Sequence, residues 1–133
     1  MTRSAVAMRR RRAGAGAAPD AATRELVLQR DGHRCVCCGR SVTGEAFMLL
    51  QRLRGGGDSP PNLITALGTP ASGCAGRIDG GRDPDDEAKG YSIGSGRNPA
   101  EVPVTLFSAD GPGVPLFLGE DGFYHAEPQA VRR

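Results

Sequence analysis

Arg30-Asp31-Gly32-His33-Arg34-Cys35-Val36-Cys37-Cys38-Gly39 holds three of the chain's four cysteines. Cys35 and Cys38 form a C-x-x-C followed by glycine, a turn in which two thiolates can face one metal ion. Zinc asks for four nitrogen or sulfur ligands in a tetrahedron, so a second pair is required. Cys37 and Cys74 are the thiols that remain. Cys37 is expected to point away when its neighbours bind, and Cys74 has no cysteine two to four residues distant. Two readings stay open: a structural zinc site using Cys35, Cys38 and Cys74, with a four-thiolate set poorly spaced, or reduced thiols buried in a metal-free turn. A disulfide framework suits secreted chains rather than an intracellular one.

Upstream of this stretch, Asp20 can cap the free amides of Ala22 and Thr23 and so open a helix. Leu26 and Val27 give that helix an apolar side, and Gly32 stops it after Arg30. Downstream, Phe47-Met48-Leu49-Leu50-Gln51-Arg52-Leu53 is the most strand-like run. Gly55-Gly56-Gly57-Asp58 reads as a loop, and Pro60-Pro61-Asn62 opens a short apolar segment, Leu63 to Leu67, expected to be helical. Residues 68–82 read as loop. Asp83-Pro84 starts another short helix, with Asp83 as cap and acids near the positive end of its dipole, and Gly90 ends it. After Pro99 three short strands are expected, at Val102–Phe107, Val114–Leu118 and Phe123–Tyr124. Asp110-Gly111 and Asp121-Gly122 turn the chain between or beside them.

The chain of 133 residues contains 20 glycines and 10 prolines, is 38% hydrophobic and only 5% aromatic, and has no Trp. A single domain with a small aliphatic core follows, in which metal can assist folding. No apolar run approaches the roughly 18 residues of a membrane span, and no apolar stretch follows the N-terminal arginines, so a soluble cytoplasmic protein without a membrane partner is expected. Residues 1–30 carry seven arginines against Asp20 and Glu25, a net +5, whereas residues 31–133 carry a net −3. Residues 1–19 form a basic arm expected to be disordered. Its Arg9, Arg10, Arg11 and Arg12 suit a phosphate backbone. The alternative is a segment that merely aids solubility, or upstream codons ahead of Met8.

Arg24-Glu25-Leu26-Val27, Arg30 to Cys35, Cys38-Gly39, Arg52 to Gly57, Ser59 to Ile64 and Gly73-Cys74-Ala75-Gly76-Arg77 follow one another in an order that resembles the HNH endonucleases of actinobacteria and their phages. Asn98 to Val104 and Leu118 to Tyr124 are similar to the small β extension of such proteins. The resemblance implies an α+β fold: a ββα-metal unit with a zinc knuckle over residues 20–97, a C-terminal β extension over 98–127, and a tail at 128–133. It places Arg52, Arg54 and Arg77 near a nucleic-acid groove.

Where that family carries a metal-binding residue and a general base, this chain has Met48-Leu49-Leu50-Gln51-Arg52. Leucine accepts no proton, and the glutamine amide is far too weakly basic. The family's final His falls on Ala75 and its third zinc cysteine on Leu67. Asn62 alone of the catalytic set is kept, as a vestige or simply as a helix cap. Loss of a general base costs about 10²–10⁴-fold in rate. A catalytically degenerate protein that binds DNA or another nucleic acid, with no catalytic divalent metal, is therefore the leading expectation. The alternatives are an active endonuclease with ligands drawn from Asp79, Asp83, His33 and Asn62, or a phage-associated interaction protein using its C-terminal β part. His33 is expected in an exposed turn and His125 at the surface near a strand end.

Overall fold

The structure, a computed structural model, describes residues 19–81 and 83–129. The arm with Arg9 to Arg12, expected to be disordered, lies outside the described residues. Helix α1 spans Ala21–Arg30, and the Asp20 carboxylate accepts from the Thr23 amide at 2.8 Å, the cap expected from sequence. Gly32 and His33 then adopt φ of +67° and +56°, which turns the chain out of the helix. In the cysteine stretch the Cys35 amide donates to the Arg40 carbonyl and the Gly39 amide to the Cys35 carbonyl, closing a tight turn.

Strand β1, Phe47–Gln51, pairs antiparallel with β2, Leu63–Thr69, in the register Leu50 opposite Ile64 and Gln51 opposite Leu63. The segment from Leu63 to Leu67 is thus a strand and not the expected helix. Its first four residues are buried, because both faces of the hairpin are covered. Leu50, Ile64 and Ala66 face one cluster with Ala75, Ile78 and Tyr91, whereas Phe47, Leu49 and Leu67 face the other, around Leu28, Cys35 and Val42. A run apolar on both faces lacks the alternation that marks a half-buried strand, and periodicity cannot separate it from a buried helix.

A second correction concerns residues 68–82. Gly73–Gly80 is a helix, α2, although three of its eight residues are glycine. Intrinsic propensity disfavours it, and burial of Ala75 and Ile78, three residues apart on one face, holds it against the hairpin. Helix α3, Pro84–Ala88, begins as expected, with Asp83 accepting from the Asp85 amide at 2.9 Å. Beyond it, β3 (Val104–Leu106), β4 (Val114–Leu118) and β5 (Tyr124–His125) form an antiparallel sheet in that order. Val104 and Leu118 of this sheet enter the same cluster as Leu50 and Ile64. No helix among the described residues is long and apolar enough to cross a membrane.

Two buried arginines tie these pieces together. Arg52 is only 2% exposed. Its guanidinium donates to the carbonyls of Gly90 (2.7 Å), Pro61 (2.7 Å), Pro99 (3.0 Å) and Val102 (2.5 Å). Burial, and secondarily the Arg30 cation, draw its pKa down to about 9. It stays charged at neutral pH, with carbonyl dipoles in place of a carboxylate. Gly90 is required beside it: its φ is +80°, and a Cβ there would lie 2.0 Å from the Pro103 oxygen. Arg30 instead has an acid partner, with Nε 2.8 Å from Asp31, and it also donates to the carbonyls of Pro60 and Leu63. The Asp31 carboxylate further accepts from the Thr65 amide and the Tyr124 hydroxyl, which pins β5 to the end of α1. Burial first, then the Asp31 charge, push the Tyr124 phenol well above its ordinary range.

Removing a donor that serves several carbonyls leaves each of them desolvated. Arg52→Met is expected to lower unfolding stability by about 4 kcal/mol, with Arg52→Lys intermediate because three donors cannot reach every acceptor, as read from urea midpoints. Thr65 provides the contrast. Its Oγ1 is buried with no hydrogen-bond partner, so Thr65→Val is expected to be neutral or to stabilise by about 1 kcal/mol in the same measurement.

Candidate metal centre and groove

Cys35 and Cys38 come from the turn after α1, and Cys74 from the first turn of α2. Their three sulfur atoms lie within 4.8 Å of one another. Among the described residues this is the one group of three or more His, Cys, Asp or Glu side chains gathered closely enough to hold a metal ion. Cys35 is buried and the other two are half-buried. The Cys37 thiol, followed by the backbone amides of Leu67, Cys38 and Cys37, draws the Cys35 thiol far below its ordinary range, to about 4. Burial pushes Cys74 up to about 11. At Cys35 these donors outweigh the cost of burial and favour the thiolate, the form in which sulfur ligates metal.

Cys37 stands outside the group of three sulfur atoms within 4.8 Å of one another, although it packs against the same apolar cluster as Cys38 and Cys74. The Cys37 sulfur accepts from Arg77 at 2.9 Å. Cys74 and Arg77 stand three residues apart on α2, so the helix that brings the last thiol also brings a cation to Cys37. Leu67, aligned by resemblance with a zinc cysteine, packs its side chain against the cluster while its amide faces Cys35.

A groove of about 970 Å³ runs along the end of β1, the 54–58 loop and α2. Leu49, Leu50 and Gln51 line it. The Gln51 amide is held on both sides, donating to Asp58 at 2.9 Å and accepting from the Gly55 amide at 2.8 Å. Asp58 also lines the groove, a carboxylate that reading the strand alone overlooked. Across from it Asp79 meets Arg54, whose guanidinium donates to the Asp79 carbonyl at 2.6 Å. Asn62 is fully buried and clamps the loop: it accepts from the Leu53 amide at 2.7 Å and donates to the carbonyls of Leu53 (3.0 Å) and Gly57 (2.8 Å). It caps no helix, because a strand follows it.

The expected nucleic-acid arginines separate into different classes. Arg52 is buried among carbonyls and offers nothing to a phosphate, a correction to its reading as a groove residue. Arg77 is 41% exposed but paired with Asp86 at 2.8 Å, with Asp83 at 3.9 Å, and with Cys37. Arg54 is 77% exposed at the groove. Arg24, missed by sequence, also lines the groove and stacks over Phe47 at 5.2 Å. His33 is exposed, and His125 Nε2 meets Asp121 at 3.0 Å. Neither histidine, nor Asp79 or Asp83, joins a metal-holding group among the described residues.

Asn62→Ala is expected to cost about 2 kcal/mol and to expose the 53–57 loop to limited proteolysis ahead of global unfolding, because the loop loses its clamp. No family model, curated protein or solved structure matches this chain.

Proposed function

We propose that this chain is a nucleic-acid-binding protein built on an HNH-type scaffold whose hydrolytic centre has degenerated, with zinc at Cys35, Cys38 and Cys74 as a structural cross-link. The observation that carries this reading is the composition of the groove. Where β1 should present a base it presents Leu49, Leu50 and a Gln51 amide already engaged by Asp58 and Gly55. A hairpin followed by α2, in the order ββα, and the C-x-x-C turn beside it support the scaffold assignment. The donor set suits zinc, since thiolates favour this soft, tetrahedral ion over magnesium or calcium. When bound, the ion supplies a covalent-strength link between the cysteine turn and α2.

The arm gives the reading its partner. Pro19 lines the groove. Arg12 is seven residues upstream of it in the sequence. The body carries net −3 over residues 31–133, so phosphate attraction rests on the arm together with Arg24 and Arg54.

Filter binding to duplex DNA and to RNA over a range of salt tests this. Replacing Arg9, Arg10, Arg11 and Arg12 with alanine is expected to flatten the slope of log K against log salt by about 3, and Arg54→Ala by about 1. No binding, or a slope indifferent to the arm, rules out the nucleic-acid role. Metal-dependent nicking of supercoiled plasmid that is abolished by Asp58→Asn rules out a degenerate centre and restores an enzyme.

A further inference from the structure

Three thiolates leave a tetrahedral ion one ligand short, and the surroundings narrow what fills the fourth place. The partly buried residues packed around the cluster include Phe47, Leu49 and Leu67. No histidine or carboxylate joins the group among the described residues. Cys37 remains: it packs against the apolar cluster that holds Cys35, and its sulfur, outside the group of three, accepts from Arg77 at 2.9 Å.

We infer that Cys37 is the fourth ligand of a zinc ion held by Cys35, Cys38 and Cys74, and that Arg77 is the counter-cation of the resulting four-thiolate centre. The inference rests on the zinc reading above. With Zn–S bonds of about 2.3 Å, the sulfur atoms of such a tetrahedron stand about 3.8 Å apart. The three gathered thiols, all within 4.8 Å, need only a small contraction to reach that spacing. Cys37, outside that group, must close on it by rotation of its side chain. Four thiolates around a divalent ion carry a formal charge of −2, which a site in an apolar shell must offset. The Arg77 guanidinium, 2.9 Å from Cys37, is placed to do so, and Asp86 at 2.8 Å fixes its orientation.

Zinc-loaded full-length protein treated with iodoacetamide under native conditions, then read by mass spectrometry, counts the shielded thiols. All four cysteines are expected to be shielded and all four to become reactive once a chelator removes zinc. In parallel, cobalt-loaded Cys37→Ser is expected to lose about a quarter of the sulfur-to-metal charge-transfer intensity, one thiolate in four. Arg77→Met is expected to weaken zinc retention by about tenfold, the scale of a lost outer-shell partner. If Cys37 is alkylated while the other three stay shielded, or is equally unreactive with and without zinc, the inference fails and the zinc site stands. A cobalt spectrum unchanged by Cys37→Ser has the same meaning. Failure of the chain to take up either metal overturns both. Alkylation of the unaltered protein keeps the question decidable should Cys37→Ser fail to fold.

Discussion

The guanidinium of Arg52, donating to four carbonyls with no carboxylate opposite, is the constraint on which the arrangement of the chain depends. Its acceptors belong to Pro61 before β2, Gly90 after α3, and Pro99 and Val102 before β3. One cation therefore ties the end of the hairpin to the segment that leads into the C-terminal sheet. Only a planar, multi-donor group serves so many acceptors at once, and lysine has neither the fork nor the reach. Taking a charge out of water is costly, and carbonyl dipoles offset that cost only while every partner stays in place. That requirement makes the cluster of loops around Arg52 cooperative. Gly90 shows how tight it is, since any side chain there would run into the Pro103 carbonyl.

The same economy of polar groups shapes the groove. Gln51 is held by Asp58 and Gly55, Asp79 faces Arg54, and Asn62 uses its whole amide to hold the 53–57 loop. These groups answer one another rather than an incoming substrate. At the other face of the hairpin the polar atoms converge instead: thiols from two distant segments meet, with N–H groups and Arg77 aimed at sulfur. A hairpin covered on both faces thus stands between a groove with engaged side chains and a cluster of thiols close enough to hold a metal ion.

Local signals were legible where a side chain acts on its own backbone. Asp20 and Asp83 cap helices through contacts a few residues away, and the prolines and glycines between Pro99 and Gly122 bracket short strands. Legibility failed where a neighbour distant in sequence decides. Leu63 to Leu67 became a strand because β1 was there to pair with it and both its faces were covered. Gly73–Gly80 became a helix because Ala75 and Ile78 found the hairpin, against the propensity of its glycines. Arg52 looked like any arginine beside a glycine-rich loop until its carbonyl partners, up to 50 residues away, were in place.

By itself the sequence determined the spacing of Cys35 and Cys38, the concentration of positive charge in the first 30 residues, and the lack of a histidine or acid within Phe47–Leu53. These are properties of covalent order and composition, and folding does not alter them. Which arginine meets solvent and which is buried, whether Cys37 turns toward or away from its neighbours, and how Cys74 comes to join the distant pair were decided only in three dimensions. The physical reason is common to all of them: burial and hydrogen-bond satisfaction depend on partners that the tertiary fold supplies, and no local pattern encodes those partners.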